Sequence, residues 1–280
     1  MKSVVGLTLN YRDALRTEKC VESLLDDGVD HVLIFDNSED QGVSAGEVKE
    51  IFSLNEKVSV VISERNLGFS AGVNRGREWI QQNHPGSWIL LINNDAVVVK
   101  GAIAKMLRPL EEDRSIIVSC PSIDHNGAVL GEVYYQKYFG LYLRKKWLGS
   151  FGYPSGCCQL LATERLSSKW FDEDFFMYGE DVEFGLRLGI GKIAFVDSAR
   201  VLHEVGASSV PGSDFYEKKI IGSHLLLHKK MFESGFIAEM VYFLKLTALL
   251  LRSVTRAIRH SSLSFISAYF SVVAGDKFGG

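Results

Sequence analysis

An apolar run over residues 88–99, WILLINNDAVVV, is broken in its middle by Asn93, Asn94 and Asp95. Carboxylate and amide oxygens leaving the end of a buried strand suit a hard cation such as Mg2+ or Mn2+, and such ions typically accompany a polyphosphate. A turn-forming Asx pair is the other reading of these residues. One carboxylate cannot hold an ion alone. His203 follows an apolar segment and is expected in a loop carrying Gly206, Ser208 and Ser209; it either completes the coordination with Asp95 or is structural. A second acidic concentration is FDEDFFMYGEDVEFGLRL, residues 171–188, where Gly179 introduces Glu180 and Asp181 at the first turn of a predicted helix. The helix dipole keeps a carboxylate there ionised unless burial opposes it. Beside an apolar wall such a group is a candidate general base, with helix capping as the alternative.

A third stretch is RNLGFSAGVNRG, residues 65–76, in which Gly68, Gly72 and Gly76 recur every fourth residue. On a helix they form a ridge nearly free of side chains, open to a ligand or to a packed strand. Asn66, Asn74 and Arg75 around the ridge favour a ligand. The spacing is neither GxGxxG nor a P-loop, so neither a dinucleotide fingerprint nor a Walker site is supported.

These side chains must be delivered to one place by regular elements. Strand-like runs at 3–9, 31–36, 57–62 and 87–92 alternate with helix-like segments. Between the first two, DALRTEKCVESLLDD places Leu15, Val21, Leu24 and Leu25 near one helical face, with Asp13 as its cap. This alternation predicts a parallel sheet with right-handed crossovers, and ligands bind beyond the carboxyl ends of such strands. Polar residues fall at all four ends: Asn10 to Asp13, Asp36 to Asp40, Ser63 to Gly76, and Asn93 to Asp95. Four such clusters are expected to converge on one rim. Beyond residue 115 come an aromatic, basic loop at 137–156, a buried-looking SGCCQLLA at 155–162, a strand at 192–197 and, from about 215, helix to the end.

Composition narrows the class. The 280 residues, 46% hydrophobic, suffice for a substantial core, and a net charge of -3 gives no global basis for binding nucleic acid. Cys20, Cys120, Cys157 and Cys158 lack metal-binding spacing and suggest a reducing, cytoplasmic setting. The first residues carry too short an apolar run for a signal peptide, and no apolar stretch is long enough to predict a spanning helix.

Taken in order, GLTLNYR, FDNSED, RNLGFSAGVNRG, ILLINNDAVV, SGCCQLLATERL, WFDEDFFMYGEDVEFGLRL and HEVGAS closely resemble the family 2 glycosyltransferases, within them the bacterial rhamnosyltransferase-like branch, over roughly residues 3–209. The resemblance implies an α/β GT-A fold, Rossmann-like, with a mostly parallel central sheet flanked by helices and a C-terminal helical appendage. It divides the chain into a transferase domain, 1–228, with a nucleotide-sugar half to about residue 100 and an acceptor half after it, and a helical segment, 229–280. It implies an inverting transferase that takes a nucleotide-diphospho-sugar donor and Mg2+ or Mn2+. dTDP-rhamnose is favoured, a UDP-sugar is the alternative, and the acceptor is a glycan or lipid-linked saccharide of cell-surface polysaccharide synthesis. Carried over by position, Asn10, Arg12, Asp36, Arg65, Asn66, Gly68, Asn74 and Asn94 contact the donor. Asp95 and His203 hold the metal, and Asp181 is the general base with Glu180 in support. Asn93 stands where many relatives have Asp, which removes a charge beside the diphosphate and keeps open a catalytically silent nucleotide-sugar-binding or scaffold protein.

If residues 236–260 form one helix, Lys245, Arg252, Arg256 and Arg259 fall close to one stripe. A basic stripe on an otherwise apolar helix suits the anionic cytoplasmic face of an inner membrane, and packing on the domain or a homodimer interface is the alternative.

Overall fold

The computed structural model describes residues 2–189, 191–204 and 212–275; Gly206, Ser208 and Ser209, expected in a loop, lie outside the described residues. The first half alternates as expected: β1 (Val4–Asn10), α1 (Ala14–Asp26), β2 (His31–Asp36), α2 (Val43–Ile51), β3 (Val58–Ile62), α3 (Gly68–Asn83) and β4 (Trp88–Ile92). There follow β5 (Ala96–Val98), α4 (Ala102–Glu112), β6 (Val118–His125), β7 (Ala128–Leu130), β8 (Val133–Gln136), β9 (Leu141–Leu143), β10 (Ser150–Tyr153), β11 (Cys158–Leu161), α5 (Glu180–Leu188) and β12 (Ile193–His203). The chain closes with α6 (Asp214–Met231), α7 (Phe236–His260) and α8 (Ser264–Val273).

The central sheet runs β3-β2-β1-β4-β11-β6-β12-β5, with β7 paired to β6. β3, β2, β1 and β4 are parallel, as are β6 and β12, while β11 lies antiparallel between β4 and β6. Strand periodicity sorts the core into two layers. Val32, Ile34, Leu90 and Ile92 join Val21 and Leu24 of α1 on one face. Leu33, Phe35, Ile89 and Leu91 join Val73 and Ile80 of α3 and Phe184 of α5 on the other. Asp13 caps α1 as expected, its Oδ1 accepting from the Arg16 amide at 3.1 Å. Leu15, expected on the inner face of α1, points to solvent; its place in the core is taken by Cys20.

Two expectations change, at the glycine ridge and at the basic stripe of α7. The glycine ridge packs on the sheet: a methyl group at Gly76 would meet Leu7 at 2.5 Å, and one at Gly72 would meet Leu9 at 2.7 Å. Only Gly68, at φ +78° and against Phe176, reaches the edge where the site lies. The C-terminal region is helical as expected, and α7 spans the expected residues 236–260. Gly235 and the left-handed Ser261 flank it.

The basic stripe of α7 is also largely internal. Lys245 is completely buried and sits 5.7 Å from the Tyr135 ring centroid, and burial pulls its ammonium down to about 7. Arg252 and Arg256 both pair with buried Glu217 of α6, at 2.6 and 2.9 Å. The outward side of α7 is instead apolar, with Phe236, Ile237, Met240, Phe243, Leu251 and Ile258 exposed. The boundary expected at residue 228 falls within α6. Among the described residues no helix is long and apolar enough to cross a membrane.

A candidate active site at the strand ends

The polar strand ends converge, though most act beneath the site rather than in it. Asp36 at the end of β2 accepts from Asn10 Nδ2 at 2.6 Å, and Asn10 Oδ1 accepts from Thr17 Oγ1 at 2.7 Å. Thr17 Oγ1 in turn accepts from Asn94 Nδ2 at 3.1 Å. This chain of hydrogen bonds ties the ends of β2, β1 and β4 to α1. Asn10 and Asp36 are buried below the cleft floor, and of the network Asn94 lines the cleft. Buried polar groups satisfied in this way fix geometry, because leaving any one unpaired costs its desolvation, about 1–3 kcal/mol.

Above them lies a cleft of about 600 Å³. Asn66, Gly68, Asn94, Asp95, Glu180, Asp181 and His203 line it, as does Asn93. Asn74 stands apart: its amide donates to the Phe171 carbonyl at 2.8 Å and to Glu173 at 3.0 Å, and its oxygen accepts from the Trp170 and Phe171 amides. Its hydrogen-bonding capacity is thus used in fastening the segment before α5 to α3. Arg12 and Arg65 are exposed and also lie outside the lining. Arg12 has φ +55°, and its Nε donates to the Ser38 carbonyl at 3.0 Å.

Asp95 and His203, 108 positions apart in sequence, are brought together by antiparallel pairing of β5 with β12, in which Ala96 faces His203. His203 Nε2 is 3.0 Å from Asp95 Oδ1, and both side chains are largely buried. His203 ends a long strand with a bulge between Val196 and Arg200, and does not stand in a loop. Its Nδ1 is 3.2 Å from Nδ1 of His125, at the end of β6. An imidazole bound through Nε2 must be oriented through Nδ1, and His125 is placed to do that.

The Asp95 carboxylate fits Mg2+ or Mn2+ in type, and the His203 imidazole favours Mn2+ of the two, since Mg2+ prefers oxygen ligands. They do not fill a coordination sphere: no group of three or more His, Cys, Asp or Glu able to hold an ion occurs among the described residues. The pair therefore fits an ion whose other positions come from water or a ligand's phosphates.

Glu180 and Asp181 open α5 after Gly179, whose φ of +89° excludes most side chains. Asp181 Oδ2 accepts from the Gly156 amide at 3.0 Å and Oδ1 from the Val182 amide at 2.8 Å. Burial pushes Asp181 up to about 6 even though these donors oppose the shift. Glu180, buried and next to Asp181, is pushed higher, to about 8, first by burial and then by the charge of Asp181. Burial therefore outweighs the helix terminus expected to hold both ionised. Two adjacent carboxyls separated in this way can hold one proton between them.

The apolar wall expected beside the acidic pair draws on residues that the sequence does not single out. Phe176, Met177 and Tyr178 line the cleft together with Phe215 and Tyr216 from α6. The Phe69 amide donates to the Phe176 carbonyl at 2.7 Å, which clamps this segment to the start of α3. Phe176, Met177 and Tyr178 carry one sequence signal, a run before Gly179 and the acidic pair; Phe215, Tyr216 and His125 carry none.

Residues 3–166 match the family model for glycosyl transferase family 2. The N-acetylglucosaminyl-diphospho-decaprenol L-rhamnosyltransferase of Mycobacterium tuberculosis, from strains CDC 1551 and H37Rv, is 29% identical over 237 residues, 71% of this chain and 72% of that protein. The mannosyltransferase PcManGT from Pyrobaculum calidifontis, solved with GDP-Man and Mn2+, superposes with a TM-score of 0.62 at 11% identity over 99% of this chain and 88% of that one. GalNAc-T7, solved with UDP, GalNAc and Mn2+, gives 0.59 at 14% identity over 89% of this chain, which spans about half, 54%, of that chain. S. aureus TarS 1-349 gives 0.56 at 13% identity over 95% and 81%. The fold these structures share with the chain is GT-A.

Proposed function

The chain belongs to glycosyl transferase family 2, and from that premise we propose that it is an inverting, metal-dependent transferase that moves rhamnose from dTDP-rhamnose to a hydroxyl of a lipid-linked saccharide. The observation that carries the reading is that a carboxylate–imidazole pair, Asp95 with His203, and a raised carboxyl, Asp181, open into one cleft. The sugar and the lipid-linked acceptor are taken from the mycobacterial relative, and the setting from them: the cytoplasmic face of a membrane.

Inversion needs one displacement. The acceptor oxygen attacks C1, the bond from C1 to the diphosphate breaks, and the hydroxyl proton goes to Asp181. Asp181 must enter that step ionised, and the Gly156 and Val182 amides hold its two oxygens in place for it. Mg2+ or Mn2+ held by Asp95 and His203 would neutralise charge on the departing diphosphate. Asn66, Gly68 and Asn94 are the expected donor contacts. Asn10 and Asp36 are assigned to supporting Asn94 from below.

The reading is tested by thermal shift with dTDP-rhamnose, UDP-sugars and GDP-mannose, each with Mn2+. A ligand at a hundredfold excess over its dissociation constant adds about 2.7 kcal/mol, or about 5 °C for a domain of this size. dTDP-rhamnose is expected to give the largest rise; no rise with any nucleotide sugar overturns the proposal, and a larger rise with a UDP-sugar overturns the choice of donor. A second expectation concerns His125. His125→Ala is expected to weaken Mn2+ binding about 10- to 100-fold by releasing His203, with partial recovery in His125→Asn, which restores a polar group near the Nδ1 position. Titration followed by the Mn2+ paramagnetic resonance signal checks it, and unchanged affinity in the alanine variant removes the role.

A further inference from the structure

The basic, aromatic segment at 137–156 is not used by the chemistry above. It contains Lys137, Arg144, Lys145 and Lys146 and no Asp or Glu, in a chain whose net charge is -3. The segment builds β9 and β10, and these pair on either side of β8 in a separate three-stranded sheet. At the turn between them Trp147 is 58% exposed and Leu148 85% exposed, next to the three consecutive cations. Among the described residues, none of those three cations is in an ion pair.

The turn is held, so the exposure is built in. Ser150 Oγ accepts from the Trp147 amide at 2.8 Å and donates to the Trp147 carbonyl at 2.6 Å. Gln136 Nε2 donates to the Leu148 carbonyl at 3.1 Å. Gly149 takes φ +71° against the Tyr138 ring, where a side chain would collide. The backbone is therefore fastened while an indole and an isobutyl group stand side by side in water next to three cations, and it is contiguous exposed apolar groups of this kind that mark interaction surfaces.

We propose that this hairpin docks the protein on an anionic lipid bilayer, with Arg144, Lys145 and Lys146 on the phosphates and Trp147 and Leu148 in the interface. Indole side chains favour that depth, and clustered cations favour an anionic leaflet. A polyanion such as nucleic acid would satisfy the cations and leave Leu148 in water. Placement gives the docking a purpose. β10 runs from the hairpin to Tyr153, and Pro154 links it to Ser155 and Gly156 on the cleft wall, where Gly156 holds Asp181. A lipid-linked acceptor would then enter at the side of its base. The proposal rests on the reading that the acceptor is lipid-linked, and it replaces the stripe of α7 as the cationic contact.

The test is co-sedimentation of the full chain with vesicles of phosphatidylcholine alone or of phosphatidylcholine with phosphatidylglycerol. Binding is expected on the anionic vesicles, weakening with salt. The triple variant Arg144→Gln, Lys145→Gln, Lys146→Gln is expected to bind about a hundredfold more weakly, at about fivefold for each cation lost. Trp147→Ser with Leu148→Ser is expected to weaken binding without removing its salt dependence. These exposed changes should leave the melting temperature unchanged. Wild-type binding in the triple variant, equal binding to neutral vesicles, or displacement by inorganic pyrophosphate, which would mark a soluble-phosphate site, each overturns the docking. So does loss of binding only in Phe243→Ser, which would assign it to the apolar face of α7. Vesicle binding needs neither donor nor acceptor. Hairpin-dependent binding in a protein that transfers no sugar supports the docking and overturns the functional reading, and transfer without vesicle binding does the reverse.

Discussion

Asp181→Asn is expected to lower sugar transfer at least about a hundredfold, the typical contribution of a general base, while nucleotide-sugar binding stays near wild type. The amide keeps the volume and loses the site for the proton. One of its ends also becomes a donor facing the Gly156 or Val182 amide, so some loss of stability is expected, and donor affinity must be measured alongside turnover to separate the two. Retained turnover above about a hundredth of wild type would exclude Asp181 as the base. The pH profile gives the second arm. The folded protein holds the Asp181 proton up to about 6, well above its unfolded value. Activity that needs the ionised form is therefore expected to be low below pH 6 and to rise through it to a plateau. Stability runs the other way: the contribution of this group is greatest below the unfolded pKa and is lost as pH rises through the folded one. Glu180, shifted in the same direction and further, extends that decline to higher pH. Thermal melts of the wild type should fall from pH 5 to 8.5, and those of Glu180→Gln should fall less.

The sequence made the parallel half legible because its buried strands and polar ends recur at a fixed spacing, each feature local. What it could not assign was direction. Asp36, Asn10 and Asn74 have the same polar character as Asn66 and Asn94, yet the first three spend their hydrogen bonds inside the protein and the last two line the cleft. Which way such a side chain turns depends on partners remote in sequence, such as Asn10 for Asp36 and Phe171 for Asn74. The same limit hid the α7 stripe. Lys245, Arg252 and Arg256 turn inward while Arg259 stays exposed, because the complementary charge, Glu217, sits on α6. His203 was legible as a residue, whereas its partner His125 became visible only through the pairing of β6 with β12.

Asp95→Ala is the complementary expectation, loss of binding rather than of proton transfer. The substitution leaves the backbone of the turn supported, since the Asp95 carbonyl still accepts from the Glu204 amide at 3.0 Å and the Asn93 amide still donates to the Cys157 carbonyl at 2.9 Å. What it removes is the carboxylate 3.0 Å from His203. Neighbouring Asn93 and Asn94 bring no formal charge, so nothing on this turn can replace it. Metal-dependent nucleotide-sugar binding is expected to fall at least about a hundredfold, the upper range for losing an outer partner of a ligand; calorimetry with and without Mn2+ measures it. Unchanged affinity with Mn2+ would remove Asp95 from the metal site. His203→Ala in the same background distinguishes two ways the pair could work. If both side chains hold one ion, the two losses overlap and the double variant binds hardly worse than Asp95→Ala alone. If each contacts the donor independently, the two losses add. Because a pair of protein ligands is too few for either cation, the shared-ion case also requires that Mn2+ bind weakly without nucleotide and tightly with it, so that metal and donor each raise the affinity of the other by the same factor.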